Sequence, residues 1–135
     1  MREILFKGKS VNTGEWVESM TIANGTIKRK RNDVFMEIDE NKWVGIEPKS
    51  LSQYTGKTTN NQHPVFYDVQ KVFENDIISI GKYSTKYKVV FENYEWVGIS
   101  NEGDRFGAFK IRFSAIREPI TIHGNIFDNP ELINS

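Results

Sequence analysis

The chain has 135 residues, 18 basic and 18 acidic side chains, and no cysteine. That length suits one domain, or two small subdomains sharing a core. Zero net charge lacks the overall basic excess typical of nucleic-acid binders, and the absence of thiols excludes disulfides and thiolate metal sites.

The first residues, "MREILFKGKS", hold only three consecutive apolar side chains, too few for the core of a secretory signal. No later apolar run approaches the length of a membrane span. A soluble cytoplasmic protein without membrane contact is expected, and the missing cysteines suit a reducing compartment.

Turn residues then punctuate the chain. Asn12-Thr13-Gly14, Asn24-Gly25, Asn32-Asp33, Asp39-Glu40-Asn41, Asn75-Asp76, Asn93 and Asn101-Glu102-Gly103-Asp104 separate short segments rich in β-branched and aromatic residues. "MTIA-NG-TIKRK" predicts a hairpin, because a type I′ turn needs positive φ at both central residues and Asn-Gly supplies it. Its return strand carries four basic residues, Lys28 to Arg31. They suit a phosphate-binding edge, but basic residues that protect an exposed strand from aggregation account for them better in a neutral chain.

A second hairpin follows as "DVFMEI", "DENK" and "WVGIE", and the pattern returns later as "KYKVVF", "ENYE" and "WVGIS". Trp43-Val44-Gly45-Ile46 thus recurs as Trp96-Val97-Gly98-Ile99. With four identical residues, coincidence between similar hairpins is preferred to duplication. Trp16, Trp43 and Trp96 read as core or interface anchors rather than a ligand cage.

"TGKTT", Thr55 to Thr59, has the look of a phosphate-binding loop. Such a loop needs a glycine five positions before Gly56, where Leu51 stands, and a helix after it. The following "NNQHP" ends in a proline that a continuing helix would not accept. "PVFYDVQKVF" is ambiguous between helix and strand. His63 lies in the polar loop and His123 in a predicted strand; with no third ligand at suitable spacing, a zinc site is not expected. Glu74 and Asp76 straddle a turn, where Asp commonly binds backbone amides; an acid–base pair is the weaker reading.

"RFGAFKIRF" resembles the aromatic-and-basic strand of RNA-binding motifs. Its alternation instead sets Phe109, Ile111 and Phe113 on one face and Lys110 and Arg112 on the other, as a core strand would. "ITIHGNI" is a further strand. "FDNPELI" predicts a terminal helical turn with Asn129 as cap and Pro130 in first position. The sum is an all-β, mainly antiparallel fold with little helix: an N-terminal hairpin subdomain (1–50) and a C-terminal set (51–135) able to close into a small barrel.

Three segments in order, "SQYTGK", "KVFENDII" and "IHGNIFDNPELI", together with the start "MREILFKGKSVNTGEWV", resemble the YopX family of phage and prophage proteins. Gln53, Tyr54, Thr55 and Gly56 match the first segment. Glu74, Asp76, Ile77 and Ile78 match the second, and Gly124, Asn125, Ile126, Asn129, Pro130, Glu131 and Leu132 the last. Asn75 departs from the family's glycine, and the loop from Lys57 to Lys71 is longer than usual.

The resemblance implies a C-terminal part similar to a Src-homology-3-type barrel, and it carries over no catalytic, cofactor or metal residue. The function it points to is a non-enzymatic accessory module that binds a host or phage protein. A nucleic-acid-binding module using Lys28 to Arg31, Lys110 and Arg112 is the alternative, and an enzyme acting through Glu74 and Asp76 ranks last. Pairing of exposed strand edges would also give a homo-oligomer.

Overall fold

The computed structural model describes residues 4–24, 34–59, 70–101 and 110–133. The chain divides into two compact units, Met1–Tyr54 and Thr55–Ser135. Among the described residues both are built from antiparallel strands with short 3-10 turns, so the all-β reading holds.

In the first unit, β1 (Phe6–Lys9) and β2 (Trp16–Ser19) form a hairpin with Gly8 opposite Val17 and Lys9 opposite Trp16. Its loop is closed by the Gly14 N–H on the Ser10 carbonyl, with Gly14 at positive φ. Strands β3 (Ile22–Asn24), β4 (Val34–Asp39) and β5 (Lys42–Ile46) form a meander. Asn24 ends β3, while Gly25 and the predicted basic return strand, Lys28 to Arg31, lie outside the described residues. The β4–β5 turn places Asn41 at φ 57, with its N–H on the Glu37 carboxylate.

Period-two alternation then sorts the side chains. Val34, Met36 and Ile46 form the core, joined by Phe6, Val17, Val44 and Leu51. Gly8 permits the close approach of β1 to β5, because a β-carbon there would collide with Ile46 Cγ2.

Buried serines close the corners where the ladders end. Ser50 accepts the Lys9 N–H at 2.8 Å and donates to the Glu47 carbonyl at 2.7 Å. The Ser19 hydroxyl lies 2.6 Å from the Glu37 carbonyl and accepts the Thr21 N–H. A buried backbone group left unpaired costs about 1–3 kcal/mol, so these hydroxyls are structural.

Strand β6 (Ser52–Thr58) pairs through Ser52 and Gln53 with β1; from Thr55 onward its residues belong to the second unit and run beside β7 (Lys71–Phe73). There, β8 (Asp76–Ile80), β9 (Tyr87–Glu92), β10 (Glu95–Ile99), β11 (Lys110–Arg112) and β12 (Ile120–Asn125) form a five-stranded sheet in the order β11-β10-β9-β8-β12. The β9–β10 turn has Asn93 and Tyr94 both at positive φ, the type I′ signature.

The core of this unit gathers Val72, Ile78, Val89, Trp96 and Phe113 around Tyr87 and Ile120. Phe113 is buried as expected, but it opens a 3-10 turn (Phe113–Ala115) instead of extending the strand. No closed barrel is found among the described residues. The three-residue β11 stops at that turn, and it and β12 remain the two outer strands of an open sheet. No helix among them is long and apolar enough to cross a membrane.

Candidate functional site

The "TGKTT" stretch runs as strand to Thr58, and the hydroxyls of Thr55 and Thr59 are spent on the fold. Thr55 Oγ1 donates to the Val72 carbonyl at 2.8 Å and accepts the Lys57 N–H, across a Gly56 at φ 89. Lys57 Nζ reaches the Ile116 carbonyl, and burial, then the nearby Arg117 charge, lowers its pKa. Nothing here cradles a phosphate.

Asp76 is buried at the β7–β8 turn, where its Oδ2 accepts the Phe73 N–H at 2.8 Å. Asn75 takes positive φ at 70°, a conformation that asparagine tolerates better than other non-glycine residues. Both acids thus flank a turn, and the carboxylate of Asp76 is engaged in holding it.

His123 sits at a bulge where β12 slips register between Ile122 and Gly124. Its Nε2 lies 2.8 Å from the Ser79 hydroxyl, and burial, then the Lys86 charge, lowers its pKa. His63 lies outside the described residues. Among those described, no three His, Asp or Glu side chains gather to hold a metal ion.

The terminal signature is a local lock. Asn125 Oδ1 accepts the N–H groups of Phe127 and Asp128, and the Asn125 N–H donates to Asn129 Oδ1 at 3.3 Å. Asn129 stands at the cap position of the 3-10 turn Pro130–Leu132 but makes no side-chain capping bond. The expected cap is therefore corrected: its amide turns back over Gly124.

The basic residues of β11 are paired. Lys110 bonds Glu92, and Arg112 Nε lies 3.5 Å from the Glu95 carboxylate. Phe109 lies outside the described residues. Lys7 and Lys9 place their ammonium groups 4.8 and 5.7 Å from the centre of the Trp16 ring, so that tryptophan is covered by its own unit.

What remains open is a groove in the first unit, ≈ 530 Å³ in volume. Val11, Phe35, Trp43 and Gly45 line it, with Glu47 and Pro48 among its other walls. Trp43 is 44% exposed and Val11 56%. Two features of the strands build it. Phe35 pairs with Gly45 across β4–β5 and points away from Met36 and the core. The Val11 N–H bonds the Gly45 carbonyl, which pins the β1–β2 loop along the strand.

A side chain at Gly45 would reach only ordinary contact, 3.7 Å from Phe35 and 3.9 Å from Val11, so the glycine leaves the groove floor open without straining the backbone. Such a shape buries an apolar side chain, and Glu47 is the one charged residue among the described lining. The sequence named Trp43 as an anchor but did not place Val11, Phe35 and Gly45 beside it.

No family model matches the chain, and neither the characterised proteins nor the solved structures compared with it gave a match.

Proposed function

We propose that the chain is a non-enzymatic protein-interaction module of the YopX type, acting on a host or phage protein through the groove at Trp43. The observation that carries this reading is a large aromatic side chain, Trp43, left in water beside an open groove floored by Gly45 and Phe35. Tryptophan is the residue most often found to dominate binding energy at interfaces, where it fills or forms a desolvated pocket.

The lining suits one kind of occupant. It is a protein segment that presents an apolar side chain to Gly45 and Phe35, followed by a Lys or Arg for Glu47. A lone carboxylate at the edge of a groove of mixed polarity favours a cationic group and repels an anionic one. The second reading, nucleic-acid binding, has less support at β11, where Glu92 and Glu95 stand beside Lys110 and Arg112 and offset their charge.

Alanine at Trp43 and at Gly45 tests the proposal, the first removing the wall and the second raising the floor. Both variants should lose the partner and keep the fold. Light scattering supplies the control for self-association: a mass that rises with concentration and falls back in Trp43→Ala would assign the groove to a second copy of this chain.

A further inference from the structure

The second unit holds a small polar pocket, separate from the groove. It has a volume of ≈ 50 Å³ and is lined by Ser84, Lys86, Ser100, Asn101, Leu132 and Ile133. A buried water needs roughly 10–15 Å³ of such space, so there is room for a group of a few heavy atoms and no more.

Its geometry follows from the sheet. Lys88 pairs with Ile99 at the end of the β9–β10 ladder, and Lys86 and Asn101 each lie two residues beyond that last pair. The Asn101 amide donates to the Ile133 carbonyl at 3.0 Å, which ties the terminal turn over the pocket. Tyr87 points into the core, and Lys86 precedes it at the open end of β9.

The lining chemistry is one-sided. Among the described residues the pocket has a cation, two hydroxyls and a carboxamide, and no carboxylate. No hydrogen bond or ion pair among them engages the Lys86 ammonium or the Ser84 hydroxyl. Glu92 and Glu95, by contrast, neutralise Lys110 and Arg112. An ammonium that no described carboxylate pairs, beside hydroxyl and amide donors in a small recess, is suited to a single oxyanion head group.

We propose that this pocket binds one oxyanion, a phosphate or carboxylate group, held by the ammonium of Lys86 with the Ser84 hydroxyl and an N–H of Asn101 beside it. Lys86 supplies the charge, and the smaller groups fix orientation. The charge of Lys86 also bears on His123, so an anion that neutralises it will raise the imidazole's proton affinity as well.

The test is a titration of ¹⁵N-labelled full-length protein with sodium phosphate and, separately, sodium acetate, at ionic strength held constant with sodium chloride. Saturable shifts at Ser84, Lys86, Ser100 and Asn101 are expected with at least one of the two anions, and the stronger ligand identifies the head group. Lys86→Gln should weaken that binding by about tenfold or more, the worth of one charge-assisted hydrogen bond, while the rest of the spectrum keeps its wild-type pattern. Ser84→Ala should weaken it less and provides a second variant that leaves the charge in place. Shifts that merely track chloride, or an affinity that Lys86→Gln leaves unchanged, would overturn the assignment.

Discussion

The side chain of Asn129 occupies the place where a β-carbon on Gly124 would stand, and its Oδ1 accepts the N–H of Asn125. The two residues are therefore coupled by space as well as by the hydrogen bond. Gly124→Ala should destabilise the protein by about 1–3 kcal/mol through overpacking, and Asn129→Ala by about 1 kcal/mol through the lost acceptor. In the double variant the clashes with Oδ1 and Cγ are gone and only the tighter-than-usual contact with the residue 129 Cβ remains, so its loss should be smaller than the sum. Denaturant unfolding of the four proteins measures that difference, and strict additivity would refute the coupling.

Gly8 and Gly45 both lie in strands of the first unit, and alanine at each should act in opposite ways. At Gly8 the new methyl group meets Ile46, itself only 2% exposed and unable to swing aside. A loss of about 1–3 kcal/mol is expected. At Gly45 the nearest atoms stand 3.7 and 3.9 Å away, and removal of glycine's backbone freedom adds up to about 1 kcal/mol. Comparable losses in both variants would contradict the packing described for this core.

Asp76→Asn keeps an acceptor for the Phe73 N–H but removes the charge. Hydrogen bonds to charged groups are worth about 1.5–3 kcal/mol, so a loss of about 1–3 kcal/mol is expected from thermal or chemical unfolding. Unchanged stability would mean that the carboxylate is not what holds the turn, and would revive the acid–base reading of Glu74 and Asp76.

His123 should titrate below its ordinary 6.5, because burial and then the Lys86 charge oppose its protonated form. The unfolded chain then binds more protons in the window just below 6.5. Stability is complete above the unfolded value and falls as pH drops through 6.5 toward the folded value. Imidazole NMR, assigned against a His63→Gln variant, reads the midpoint. Lys86→Gln should raise it while leaving it below 6.5, since burial is the larger cause; a wild-type midpoint at or above 6.5 would contradict the environment described.

The hairpins were legible because their turns advertise themselves: Asn41, Asn93 and Tyr94 all take the positive φ that tight turns demand. The faces were not. Trp-Val-Gly-Ile occurs in β5 and in β10, and Trp43 is 44% exposed whereas Trp96 is 7% exposed. In β5, Val44 and Ile46 turn to the core and leave Trp43 and Gly45 outside. In β10, Trp96 packs in the core, and Gly98 makes room for Tyr87, whose Cβ lies 2.9 Å from where a β-carbon would be.

All four residues of the motif are apolar, so alternation of period two fixes two faces without saying which is wet. That choice is made by what packs on each side, Gly8 and Met36 in one unit and Tyr87 and Ile111 in the other. The same limit hid Val11 and Phe35. It also hid Lys86, whose place beside Asn101 depends on strand pairing rather than on local sequence. Asn129 was misread for a different reason: Ser, Thr, Asp and Asn before a helical turn usually cap it, but Gly124 leaves a vacancy that claims this side chain first.

The most direct test of the interaction reading is a quantitative capture from nuclease-treated lysogen lysate with four tagged proteins: wild type, Trp43→Ala, Gly45→Ala and Tyr94→Ala. Tyr94 is 96% exposed at the β9–β10 turn and serves as the control for nonspecific apolar binding. The account predicts a stoichiometric protein that wild type and Tyr94→Ala retain and both groove variants lose. A protein held equally by all four, or one lost from every bait once nucleic acid is digested, would contradict it.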